Sequence, residues 1–123
     1  MKKLILTSMA FFTMSFQIVL ADGYIAAYSI KVSDVQSYAQ SLDDLMTSKF
    51  GKEFPGTVTL GHFAFNGYDE ATHAVVISYD SESDMANGTA MFYTPEFANF
   101  LSKVQPISES VEQSLNRKLI SGG

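Results

Sequence analysis

The side chains in this sequence best suited to acid–base or ligand chemistry are two histidines and several tyrosines. His62 lies within the apolar segment Thr57–Phe65, where it could act as a base facing a cavity, as a haem ligand or as a packed histidine. His73 begins the next apolar segment beside polar loop residues, which favours a surface position. The two lack the spacing of a helical metal-ligand pair, and no carboxylate cluster accompanies them. The sequence therefore predicts no metal site and indicates no cofactor.

Polar side chains on the predicted strands provide further ligand-binding candidates. Tyr28, Ser29 and Tyr79 join His62 in this set, because a hydroxyl that lines a cavity can hydrogen-bond an aromatic ligand. The structural alternative is that the tyrosines are core residues whose hydroxyls reach water. Lys31 shares the parity of Ser29 in its strand, and it is expected to extend its ammonium group into solvent.

Composition excludes several classes of chemistry. The chain has 123 residues, no cysteine and no tryptophan, so disulfides, thiolate metal sites and cysteine nucleophiles are excluded. With 46% hydrophobic and 17% charged residues, it has the composition of an ordinary globular protein. Its length allows one domain with one modest core.

The amino terminus has the pattern of a bacterial secretory signal peptide. Lys2 and Lys3 precede a mostly apolar run that ends in Val19-Leu20-Ala21, with small or apolar residues three and one before the expected cut. The run is short and interrupted by polar residues, unlike a membrane span of about 20 apolar residues. We expect cleavage after Ala21, a periplasmic or secreted protein, and no membrane span after cleavage.

Cleavage makes the protein more acidic. Residues 1–21 contain two of the eight basic residues and none of the acidic ones, so the formal net charge falls from −5 to −7. Nucleic-acid binding depends on clustered Lys and Arg that face the phosphate backbone. The mature domain is therefore not expected to bind nucleic acid.

Hydrophobic periodicity divides the mature chain into six regions. Period-two and apolar runs predict strands, spacings of three and four predict helices, and Thr94-Pro95 predicts a break in the second helical region near Tyr93. The predicted elements are a strand at Tyr24–Val32, a helix from Val35 to Phe50, strands at Thr57–Phe65 and Thr72–Tyr79, a broken helical region from Asp84 to Val104, and a strand at Val111–Leu119.

The order βαββαβ predicts an α+β, ferredoxin-like domain over residues 22–123, with a four-stranded antiparallel sheet and both helices on one face. The strands at Thr57–Phe65 and Thr72–Tyr79 are apolar at both parities, so the uncovered face of the sheet is expected to be apolar too. An exposed patch of several hundred Å² usually marks an interaction surface. We expect a second copy to cover it, forming a homodimer with a barrel-like core.

The element order and the segment Ser83–Phe100 (SDMANGTAMFYTPEFANF), above all Tyr93-Thr94-Pro95-Glu96-Phe97, resemble the dimeric α+β-barrel superfamily and its antibiotic-biosynthesis-monooxygenase-like domains. That superfamily includes cofactor-independent oxygenases, haem-binding enzymes, stress-response proteins and domains without known activity. Its cofactor-independent oxygenases use combinations of tryptophan, histidine and asparagine. Its haem-using members place a histidine in the second helical region. This chain has no tryptophan and no histidine there, and Asn87 and Asn99 remain.

Three functions are consistent with these observations. The first is an exported homodimer with a binding or assembly role and no assigned chemistry. The second is a monooxygenase-like enzyme that acts on a small aromatic substrate in the barrel cavity, with His62 as acid or base and a tyrosine in support. Haem capture through His62 is a third hypothesis. Either a small apolar ligand or an aromatic one fits the cavity expected from the resemblance.

Overall fold

The computed structural model describes residues 23–64, 67 and 69–117. The predicted signal peptide, residues 1–21, lies outside them. The elements are β1 (Tyr24–Val32), α1 (Val35–Thr47), α2 (Lys49–Glu53), β2 (Thr57–His62), β3 (His73–Tyr79), α3 (Glu82–Met91), α4 (Pro95–Val104), a 3₁₀ turn (Gln105–Ile107) and β4 (Ser108–Arg117). The order βαββαβ predicted from the sequence is confirmed, with each helical region divided in two.

Short polar side chains define where the helices begin. The carboxylate of Asp34 accepts a hydrogen bond from the Ser37 amide at the start of α1. The hydroxyls of Ser81 and Thr94 do the same at the starts of α3 and α4. Pro95 occupies the first turn of α4, where its missing N–H is not needed. The Thr94 cap and Pro95 together explain why the second helical region breaks beside Tyr93.

The strands form one antiparallel sheet in the order β2-β3-β1-β4. The central strands β1 and β3 pair from Tyr24 with Tyr79 to Ile30 with His73, and β4 pairs with the other edge of β1. This order, with both long helical regions on one face, is the ferredoxin-like arrangement expected from the sequence.

The core lies between the sheet and the helices. Ala26 and Ile30 of β1 and all the odd-numbered residues of β3, among them Ile77, are buried on the helical side of the sheet. Tyr38 and Leu45 of α1 and Phe100 and Val104 of α4 fill the opposite side. Four phenylalanines join these layers in a chain of ring contacts: Phe50 with Phe54 and Phe97, and Phe92 with Phe54 and Phe97.

The uncovered face of the sheet is less apolar than the sequence predicts. Of the two strands predicted to be apolar on both faces, β3 is central but β2 lies at an edge of the sheet. Its outward row is Thr57, Thr59 and Gly61. An apolar patch remains on the central strands, where the half-buried outward residues are Ile25, Ala27, Ala74 and Val76. The patch expected over the whole face is therefore restricted to its centre.

Within the described part of the chain, no helix has the length and apolar character needed to cross a membrane.

Candidate functional site

A cavity of about 790 Å³ opens between the sheet and the helices. Aromatic and aliphatic side chains form most of its wall, and none of its lining residues is charged. A concave, mainly apolar site of this size with a few polar groups is typical of small-molecule binding sites. The apolar wall includes Ile30, Leu42, Leu45, Met46, Phe50, Phe54, Val58, Val75, Ile77, Phe92, Phe97, Phe100 and Val104.

The cavity remains open because the helices do not extend across the β4 edge. Every residue of β4 after Ser108 is exposed, whereas the buried positions of β1 and β3 lie under the helices. Leu101 of α4 borders the cavity yet is 47% exposed. Tyr93 borders it at 88% exposure, in the turn between α3 and α4. The opening is therefore framed by the β4 edge, α4 and the turn before it.

A β-bulge places polar groups of β4 on the cavity side. The pairing with β1 shifts between Ser29, opposite Glu112, and Ile30, opposite Ser110. In a regular strand, residues 110 and 113 would point to opposite faces. Because the bulge inserts one extra residue, both Ser110 and Gln113 line the cavity.

Tyr28 and Gln113 form the polar end of this cavity. They are direct partners in the register of β1 and β4, and both line the cavity. The Tyr28 ring makes an edge contact with Phe92 at 6.3 Å between centroids. Burial raises the pKa of Tyr28 above its ordinary value, so its hydroxyl stays protonated and can donate a hydrogen bond at neutral pH. Tyr28, predicted from the sequence, thus lies in the site, whereas Gln113 was missed because its position depends on the bulge.

Ser29 and Tyr79 take different positions from Tyr28. Ser29 follows Tyr28 in a strand, so it faces the opposite side of the sheet. Tyr79 is 1% exposed at the far end of β3, packed against Phe54 behind the cavity wall. Neither residue lines the cavity.

The buried hydroxyl of Tyr79 has no hydrogen-bond partner among the described residues. The Thr89 hydroxyl acts to lower the pKa of Tyr79. Its proton, however, is donated to the Met85 carbonyl at 2.7 Å and is not available to the tyrosine oxygen. Burial raises the pKa of Tyr79, and the neighbouring Tyr28 raises it further. Tyr79 also fits only because residue 88 is glycine: a Cβ there would lie 2.6 Å from Tyr79 Cε1.

His62 lies outside the cavity and beside the other histidine. It is exposed at the end of β2, and its ring contacts His73 with centroids 4.9 Å apart. His73 is only 9% exposed, not the surface residue expected from the sequence. Burial lowers the pKa of His73, and the proximity of His62 lowers it further. No described histidine therefore lines the apolar cavity.

Solved structures show which known proteins this architecture resembles. HapK from Hahella chejuensis matches at a TM-score of 0.56 and 16% identity, over 81% of this chain and 96% of HapK. SnoaB, a cofactor-independent oxygenase from Streptomyces nogalater, matches at 0.54 and 14% identity, over 77% and 91%. A dimeric protein of unknown function and ferredoxin-like fold from Bacteroides fragilis matches at 0.54 and 11% identity, over 80% and 99%.

This chain has the ferredoxin-like fold of those proteins. The ferredoxin-like fold that the resemblance implied is therefore confirmed. No family model and no curated protein matches the sequence. At these identities the likeness extends to the fold alone, because one fold supports unrelated chemistries.

The unpartnered hydroxyl of Tyr79 gives a stability prediction. We expect Tyr79→Phe to leave the free energy of unfolding unchanged or to raise it by up to about 1 kcal/mol, because it removes a buried polar group that gains no hydrogen bond. Urea unfolding followed by circular dichroism measures the change. Tyr79→Leu is the control, since it also removes ring packing against Phe54 and should destabilise the domain. A loss above about 1 kcal/mol in Tyr79→Phe would reveal a hydrogen-bond partner for the hydroxyl.

Proposed function

We propose that this protein is an exported, homodimeric binding protein that holds one small aromatic ligand in the cavity between its sheet and helices. The observation that carries the proposal is the cavity of about 790 Å³, with its phenylalanine-rich wall and its uncharged lining. Ring faces and edges of the wall favour a flat aromatic ligand. The opening beside β4 gives such a ligand a route in.

The polar end of the cavity suggests how the ligand is oriented. The phenol of Tyr28 can donate a hydrogen bond, and the side-chain amide of Gln113 can both donate and accept. These two groups are adjacent across β1 and β4. A phenolic or quinone-like oxygen placed against them would leave the rest of the rings in apolar surroundings. The ligand class we propose is therefore an oxygen-bearing aromatic compound without charge.

Binding has more support than oxygenase chemistry. The enzyme hypothesis used His62 as acid or base, and His62 is not among the residues that line the cavity. The residues that do line it include no carboxylate, lysine or histidine to accept a proton from a substrate. SnoaB is described as an oxygenase, but at 14% identity its likeness to this chain extends to the fold alone.

A bulky substitution inside the cavity tests the proposed binding site. We expect Leu42→Phe to weaken binding of 1-naphthol by about tenfold or more, because the larger ring occupies the ligand's volume. Quenching of tyrosine fluorescence in the purified protein measures the affinity. Val35→Phe is the matched control, since Val35 is 45% exposed on the same helix and does not line the cavity. Equal affinity for both variants, or no binding by the parent protein, would contradict the proposal.

The centre of the uncovered sheet face supports the homodimer. Ile25, Ala27, Ala74 and Val76 form an apolar patch on the two central strands, and small side chains there permit close approach of a second sheet. The surrounding threonines and serines can hydrogen-bond at a rim. A two-fold symmetric contact would place this patch against its own copy.

A charge at the centre of the patch tests the dimer. We expect the parent protein to have the mass of two chains in light scattering coupled to gel filtration. Val76→Lys should shift it to the mass of one chain, because a buried ammonium without a partner is costly. Val35→Lys introduces the same charge on an exposed helical position and should remain dimeric. A parent protein that is monomeric at high micromolar concentration would contradict the dimer.

The export proposal is tested at the predicted cleavage site. Expressed in a bacterium, the full chain should yield a periplasmic protein whose first residue is Asp22, as measured by mass spectrometry. Replacing the small residue before the cut, Ala21→Arg, should block this processing. Recovery of an uncleaved parent chain from the cytoplasm would contradict export.

A further inference from the structure

We propose that His62 and His73 form a two-imidazole binding site for a late first-row divalent cation of the zinc and copper class. The site lies at the end of the β2–β3 hairpin and is separate from the apolar cavity. The chain has two histidines and no cysteine, so both imidazoles of the protein meet at this point.

The strand register brings the two side chains together. His62 and His73 are direct partners in the antiparallel β2–β3 ladder. The next pair contains the hydrogen bond from the Phe63 amide to the Thr72 carbonyl at 3.0 Å. Because hydrogen-bonded and non-hydrogen-bonded pairs alternate, His62 and His73 occupy a non-hydrogen-bonded pair, where side chains lie closest.

The separation of the rings is suitable for a shared metal ion. An imidazole nitrogen binds zinc at about 2.0–2.1 Å, so two imidazoles on one tetrahedral ion have ring centroids about 5 Å apart. The centroids of His62 and His73 are 4.9 Å apart, with the planes inclined by 71°. The strand register therefore already sets the ring separation that a shared ion requires.

Thr72 holds the buried imidazole in place. Its hydroxyl oxygen accepts a hydrogen bond from the Val32 amide at 3.0 Å and lies 2.7 Å from His73 Nδ1. This contact occupies Nδ1 and leaves Nε2 as the ligating nitrogen. When a metal ion binds Nε2, the imidazole proton is on Nδ1. This N–H then donates a hydrogen bond to the threonine oxygen. Such an outer hydrogen bond is the usual support of a metal-binding histidine.

The two histidines have complementary exposures. His73 is 9% exposed and fixed by Thr72, whereas His62 is exposed and open to water.

No group of three or more potential ligating side chains is gathered in residues 23–64, 67 and 69–117. Water would therefore complete the coordination sphere. Imidazole ligands favour zinc, copper and nickel over calcium or magnesium, which prefer oxygen.

Zinc titration of the untagged protein, expressed from the full chain, tests this site. Isothermal titration calorimetry at neutral pH should show one zinc ion bound per histidine pair. We expect His62→Gln to weaken this binding by about tenfold or more, because one ligand remains. Glu70→Gln is the matched control: it removes an exposed carboxylate three residues before His73 and should leave zinc affinity unchanged. Binding should weaken on acidification, because protons compete with the metal ion for the imidazole nitrogens.

Copper provides a readout that does not depend on the folding of a variant. The electron paramagnetic resonance spectrum of the parent protein with one equivalent of Cu²⁺ should show coupling to two imidazole nitrogens.

Thr72→Val should weaken zinc binding by about tenfold while circular dichroism shows a folded domain, because it removes the bond to Nδ1. Unchanged zinc affinity in His62→Gln, or a copper spectrum without nitrogen coupling, would overturn the proposal.

Discussion

The alternation of side chains along β1 determines both the core and the candidate site. Its even-numbered residues face the helices, and its odd-numbered residues face away. Tyr28 and Ile30 can line the cavity only because this parity is held by pairing with β3 on one side and β4 on the other. A shift of one residue would exchange the two faces and expose the core.

The cavity results from an incomplete match between the helices and the sheet. The helical face of β3 is buried and that of β1 is buried at Ala26 and Ile30, but β4 is exposed after Ser108. The rings of Phe50 in α2, of Phe97 in α4, and of Phe54 and Phe92 just after α2 and α3 contact one another without filling the space toward β4. An apolar cavity of this kind can exchange poorly ordered water for a ligand.

The two proposed sites use different parts of the same sheet. The cavity uses the β1–β4 pair, where a bulge directs Ser110 and Gln113 inward. The histidine pair uses the β2–β3 ladder at the opposite edge. Each site therefore depends on a different pair of strands.

The sequence by itself determined the order of the elements, because helical and strand periodicities, Thr94-Pro95 and the cap residues are local signals. It also identified Tyr28 as a ligand candidate, since strand parity can be read along a single segment. It did not determine that β2 lies at an edge, that Gln113 faces the cavity or that His62 meets His73. Ten residues, 63–72, separate the two histidines, and a connection of that length does not specify the register of the strands that it joins. Only pairing between strands decides these neighbours, because hydrogen-bond register is a property of two segments and not of either one alone.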